Sequence, residues 1–168
     1  GCIVLYTDGA FEPCGKSSVG AILRESPDSL PEYWAAQIGS GVKSQWWQKR
    51  ESQIMNVELF AVLQSLRVWG HKVKGKKVYA FIDNTSAFAC LCKCSAAQKD
   101  HRRILRAIYT IADKLGIVLW FEWLESEANC GDWPSRLEHT DEDDRAIFQD
   151  LLDNIKALRI SAGELKGY

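Results

Sequence analysis

Four carboxylates stand where carboxylates are unexpected. Asp8 and Asp83 each close an otherwise apolar run, Glu58 lies on the apolar stripe of a helix-like segment, and Asp132 precedes Trp133 and Pro134 in an irregular stretch. The carboxyl ends of strands are where open α/β sheets place ligand-binding groups. Glu58 has Ile54 four residues before it and Val62 four after, so its side chain shares the face that must meet a sheet. Two carboxylates about 4 Å apart repel by roughly 4 kcal/mol at an effective dielectric of 20, so a cluster must take up protons or cations. An all-oxygen donor set favours magnesium or manganese over zinc, and two such ions roughly 3.5 to 4 Å apart can stabilise both attacking and leaving oxygens at phosphorus. The implied chemistry is hydrolysis by metal-activated water. Singly, each acid has an ordinary role: Asp8 opening a turn before Gly9, Asp83 or Asp132 capping a helix, Glu58 reaching out from the edge of its stripe. Four such coincidences together are much harder to accept.

The elements that must position these acids can be read from periodicity and turn residues. Residues 2–8 are apolar without alternation, as in a central strand covered on both faces. Residues 18–24 and 33–38 predict two further strands joined by a loop at 27–31. Met55, Leu59, Val62, Leu66 and Trp69 predict a helix over 53–69 that Gly70 ends. A strand over 78–82 leads into a short helix through Leu91, with Asn84, Thr85 and Ser86 as candidate N-caps. A helix over 101–115 stops at Gly116, the last strand covers 117–124, residues 128–136 are irregular, and a terminal helix begins at Thr140. The expected fold is α/β: a central five-stranded mixed sheet flanked by helices, with the first and fourth strands parallel neighbours at its centre. Residues 1–168 are expected to form one domain, with 137–168 an acidic C-terminal helical segment.

Composition narrows the class. In 168 residues, 46% are apolar and 26% charged, which excludes a disordered or fibrous chain. No apolar run approaches the roughly 20 residues of a membrane helix. Gly1, followed at once by a strand-like run, reads as a cut end without a secretory signal, so a longer parent protein is expected. A net charge of −1 argues against an indiscriminate polyanion binder. The charge is segregated, however. One basic cluster spans His71, Lys72, Lys74, Lys76 and Lys77, and another Lys93, Lys99, His101, Arg102, Arg103 and Arg106, while Glu138 and the acids at 141–144 make the tail negative. Each cluster alone fits a solvated helix surface equally well. The six cysteines lack metal-ligand spacing and are expected to be small buried thiols in a reducing compartment, cytoplasmic or nuclear.

Four segments taken in order carry a family resemblance: Tyr-Thr-Asp-Gly-Ala at 6–10, Asn-Val-Glu-Leu-Phe-Ala at 56–61, Phe-Ile-Asp-Asn at 81–84, and Glu-Ala-Asn-Cys-Gly-Asp-Trp-Pro-Ser-Arg at 127–136. The chain resembles ribonuclease H over nearly its whole length, and its closing segment is similar to the RNase H domains joined to retroelement reverse transcriptases, especially those of tyrosine-recombinase retrotransposons. The resemblance implies endonucleolytic cleavage of the RNA strand of RNA–DNA hybrids, with Asp8, Glu58, Asp83 and Asp132 holding two Mg2+ ions that Mn2+ can replace. It further implies a monomeric domain whose polyprotein also carries a reverse transcriptase. Gly9, Ala10 and Asn56 match positions that read the RNA 2′-hydroxyls. Where many cellular members carry a histidine before the fourth acid, this chain has Glu125, Ser126 and Glu127. Two rivals remain: a DNA-acting nuclease or exonuclease on the same fold, and a non-catalytic scaffold binding nucleic acid or protein.

Other residues near the acids have two readings. Asn84, Thr85 and Ser86 could bind a substrate phosphate at a helix N-terminus or simply cap it. Arg136 could contact substrate or be a surface arginine. Trp46 and Trp47 could stack on bases but are expected to pack under their loop. Trp120 and Trp123 are assigned to the core, and His71 and His101 to the solvated surface.

Overall fold

The computed structural model describes residues 2–138 and 141–168. Three strands open the chain: β1 (Cys2–Phe11), β2 (Ser17–Arg24) and β3 (Glu32–Gln37). A short α1 (Ser40–Lys43) and the long α2 (Ile54–Val73) follow, then β4 (Lys77–Ile82), α3 (Thr85–Lys93), α4 (Lys99–Leu115) and β5 (Val118–Trp123). A 3-10 turn at Ser126–Ala128, a short α5 (Asp132–Ser135), α6 (Glu142–Asn154) and β6 (Leu158–Arg159) complete the chain.

The strands form a mixed sheet in the order β5-β4-β1-β2-β3-β6. β1 and β4 are parallel neighbours at its centre, as expected, with Tyr6 level with Phe81. This register places Asp8 level with Asp83, which follows the last residue of β4; β1 itself runs on to Phe11 because Gly9, Ala10 and Phe11 keep pairing with β2, so Asp8 does not end its strand as expected. One face of the sheet is covered from β5 to β3, the other over β1, β2 and β3 only. On one side Ile3, Leu5, Val78, Ala80 and Phe121 meet Val57, Ala61, Ile104 and Ile108 in the larger core. On the other, Ile22, Tyr33 and Ala35 meet Leu137, Leu152 and Trp133.

The sixth strand was not expected. β6 has only two residues, too short for any periodicity, and it forms by donating Leu158 N–H to the Pro31 carbonyl and Ile160 N–H to that of Tyr33, both at 2.9 Å. Gly70 does not end α2. The helix runs on to Val73, and a Cβ at Gly70 would lie 3.2 Å from Leu115 Cδ1, so the glycine serves the packing of the α4 end instead. Asn84 is the cap of α3, its side chain accepting from Ala87 N–H. Asp141 caps α6; Thr140, the expected cap, lies outside the described residues.

Burial corrects several further expectations. Trp120 is 57% exposed because it lies on the face of edge strand β5 opposite Leu119 and Phe121, while Trp123, the last residue of the strand, is 45% exposed. His101 is buried, not solvated, and burial holds its pKa below the ordinary value despite the charge of Asp100. Cys2, Cys14, Cys92 and Cys94 are exposed, while Cys90 and Cys130 are half-buried. The α3 end faces solvent on several sides, so its alternating cysteines cannot all turn inward.

Gly20 sets the approach of α5 to the sheet. A Cβ there would lie 2.5 Å from Ser135 N and 2.6 Å from the Pro134 carbonyl carbon, backbone atoms that cannot swing aside. Gly20→Ala is expected to lower stability by about 1 to 3 kcal/mol, the usual range for overpacking, in urea unfolding. Unchanged unfolding would mean that α5 is not seated as described.

Candidate metal centre

Asp8 enters the site from β1, on the strand face it shares with Tyr6 by the period of two, and its carboxylate accepts from Gly9 N–H at 2.9 Å. Glu58 comes down from the first turns of α2, amid buried Val57, Leu59 and Val62. The two elements can meet because residue 9 is glycine: a Cβ there would come within 2.5 Å of Val57 Cγ1. Asp83 follows the last residue of β4. One oxygen from each of Asp8, Glu58 and Asp83 lies within 4.8 Å of the others.

Asp132, the fourth expected acid, lines the same open groove but stands outside that trio, its Oδ1 accepting from Arg136 Nε at 2.9 Å. The groove is also lined by Gly9, Ser126, Glu127 and Arg136. Asn129, which sequence reasoning passed over, is buried and donates through Nδ2 to Asp83 Oδ2 at 3.1 Å and to the Thr7 carbonyl at 3.0 Å, while its Oδ1 accepts from Gly131 N–H. It ties the irregular segment to both acidic strands. Its only sequence signal was an asparagine two residues before a glycine in a turn-rich stretch. Trp123 Nε1 donates to the Asp83 carbonyl, so an aromatic assigned to the core braces the site from the edge.

The remaining candidates divide. Thr85 and Ser86 are exposed on the first turn of α3 beside Asp83, and the Asn84 side chain is engaged as the cap. Ala10 continues β1 beyond Gly9. Asn56 is fully buried, and its amide donates to Asp100 Oδ2 at 2.9 Å and Gln53 Oε1 at 3.0 Å, while its Oδ1 has no hydrogen-bond partner among the described residues. Trp46 is buried under its loop as expected, but Trp47 is exposed. Lys72, from the first basic cluster, is paired with Glu25 and Glu32.

Burial and crowding dominate the electrostatics. At about 5 Å two carboxylates repel by roughly 3 kcal/mol at an effective dielectric of 20. Burial first, then the charge of Asp83, pushes the Asp8 carboxyl up to about 8. Burial and the charge of Asp8 push Glu58 well above the usual carboxylate range. Asp83 is raised by burial, partly offset by the Asn129 hydrogen bond. Glu58 Oε2 is buried without a hydrogen-bond partner among the described residues. Three converging carboxylates, one with an unpartnered buried oxygen, are a donor set for a hard cation, and the residues present fit one.

No protein-family model and no curated protein matches the chain. Solved structures do resemble it. RNase H1 from the halophilic archaeon Halobacterium salinarum NRC-1 matches with a TM-score of 0.60 at 17% identity, over 82% of this chain and 96% of that one. LC11-RNase H1, isolated from compost by a metagenomic approach, was solved in complex with an RNA/DNA hybrid and matches with a TM-score of 0.56 at 18% identity, over 76% of this chain and 88% of that one. A foamy viral protease-reverse transcriptase in complex with dsDNA matches with a TM-score of 0.53 at 11% identity, over 81% and 89%. The chain has an RNase H-like fold. Among the described residues, no helix is long and apolar enough to cross a membrane.

A carboxyl whose pKa is raised by folding stabilises the folded state fully below its unfolded value and loses that contribution as pH rises through the folded one. Without divalent cations, the domain is therefore expected to lose thermal stability between about pH 4 and pH 8, and Asp8→Asn to flatten that decline. Melting in chelator across this range checks it; a flat profile in the unsubstituted protein would contradict the shifts.

Proposed function

We propose that the chain is a metal-dependent endoribonuclease that hydrolyses the RNA strand of RNA–DNA hybrids, and that it is one RNase H-like domain of a retroelement polyprotein also containing a reverse transcriptase. The observation that carries this reading is the convergence of Asp8, Glu58 and Asp83 from three elements on one edge of an RNase H-like sheet, with Asp132 at the rim. The hybrid-bound and reverse-transcriptase neighbours support the substrate class and context, as do the four ordered motifs.

In this reading Asp8, Glu58 and Asp83 would hold magnesium or manganese through their oxygens, and Asp132 would complete the set for two ions. The chemistry divalent cations supply at such a site is activation of water as nucleophile and neutralisation of charge on the attacking and leaving oxygens. The chain's own residues do the positioning. Asn129 fixes the Asp83 carboxylate. Arg136 holds Asp132 and leaves part of its guanidinium for a substrate phosphate, the half-exposed ion pair being an adjustable contact rather than a rigid one. Gly9 and Ala10 would offer close backbone approach to the strand being cut, and the exposed Thr85 and Ser86 on the first turn of α3 would meet a phosphate of the opposite strand.

An end-labelled RNA–DNA hybrid, an RNA duplex and a DNA duplex, each with magnesium, manganese or chelator, test the proposal. Internal cuts confined to hybrid RNA are expected, absent in chelator and reduced about 100-fold or more by Asp83→Asn. DNA cutting or trimming from an end would replace the reading with the rival nuclease, and no cleavage of any substrate would replace it with the non-catalytic scaffold.

A further inference from the structure

The loop between α1 and α2 presents an aromatic ring in an unusual way. Trp46 is buried and donates through Nε1 to the Tyr168 hydroxyl at 2.8 Å, whereas its neighbour Trp47 is 53% exposed. Trp47 is nevertheless held. Its N–H donates to Asp100 Oδ2, its carbonyl accepts from Gln53 Nε2 at 2.8 Å, and the Arg50 guanidinium carbon lies 5.4 Å from the ring centroid. Arg50 is itself fixed by two hydrogen bonds to the buried Asp100 carboxylate, at 2.8 and 2.9 Å. One face of the indole is thus backed by a pinned cation while the other remains available.

The surroundings favour an anionic aromatic ligand. Trp47 lines a groove with Gln98, Lys99 and Arg103. Among the described residues neither Lys99 nor Arg103 forms an ion pair, and Asp100, the acid in this groove, is already neutralised by Arg50. Arg103 also lines the adjoining depression with Arg67 and Arg106, so positive charge continues along α4. A base inside a duplex has both faces stacked, so an indole face takes an unpaired one. Asp100 also accepts from Asn56, two residues before Glu58, so the platform and the acidic groove share the first turn of α2.

We propose that Trp47, Lys99 and Arg103 form a binding site for an unpaired nucleotide in the single-stranded flank of a nucleic-acid substrate. A base stacks on Trp47 and the adjoining phosphates lie against Lys99 and Arg103. This rests on the nucleic-acid reading of the carboxylate site. Trp47 is a positioning residue that does not line the carboxylate groove.

The test compares labelled hybrids that are blunt or carry a short 5′ or 3′ single-stranded overhang, by fluorescence anisotropy in chelator and by cleavage with magnesium. The full chain is expected to bind one overhang hybrid more tightly than the blunt one. Trp47→Ala should weaken that binding roughly 5- to 150-fold and raise KM with kcat unchanged, while blunt-hybrid binding stays the same and Trp47→Phe keeps most of the affinity. Removing Lys99 and Arg103 together, as Lys99→Gln and Arg103→Gln, should lower the slope of log affinity against log salt by about 1.4. Cleavage of blunt hybrid with no overhang preference, or equal losses on both substrates in Trp47→Ala, would overturn the platform and leave the nuclease reading standing. Failure of the unsubstituted chain to bind any nucleic acid would overturn both.

Discussion

Mutual repulsion among buried carboxylates is the constraint on which the rest of the structure turns. Asp8 and Glu58 are almost inaccessible to solvent, Asp83 is half-buried, and their oxygens lie within 4.8 Å of one another. Such a cluster is stable in only two ways: some members keep protons, or a cation takes their place. The raised pKa values of all three describe the first state, and the partnerless Glu58 Oε2 marks where the second would act. A cation bound there would displace those protons, so its affinity would be coupled to pH.

Much of the fold can be understood as holding that cluster together. Parallel pairing of β1 with β4 brings Asp8, where β1 outruns its partner, level with Asp83 just past the end of β4. Gly9 lets the β1 backbone pass under Val57, and Gly20 lets Pro134 and Ser135 settle on β2, which sets the segment carrying Asp132. Asn129 links Thr7 and Asp83 across that segment. At the far side of α2, the Asp100 carboxylate collects Arg50, Asn56 and the Trp47 amide, and these hydrogen bonds outweigh the upward push of burial to keep its pKa well below the ordinary carboxylate range.

The sequence was most legible where burial and charge conflict. An acid ending a run such as Ile-Val-Leu-Tyr-Thr, or a glutamate between Ile54 and Val62, stands out because no ordinary core tolerates it. The strand and helix order could be read for the same reason: long periodic segments declare their faces. Features set by distant partners could not. Asn56 meets Asp100 44 positions away, Asn129 meets Asp83 46 positions away, and β6 exists only because the edge of β3 is free to pair. Trp120 and Trp123 have the composition of a core strand, and nothing local says that β5 lies at the sheet edge. His101 sat among cations in the sequence, yet the helix turns it inward beside Asp100.

The most direct measurement is calorimetric titration of magnesium into the cation-free domain at pH 7, in buffers of different ionisation enthalpy, with Asp8→Asn alongside. Because Asp8 titrates near 8 without a cation, binding should release about one proton or more per domain, and Asp8→Asn should bind weakly and release fewer. Absence of binding, or binding without proton release, would contradict a carboxylate cluster that exchanges its protons for a metal.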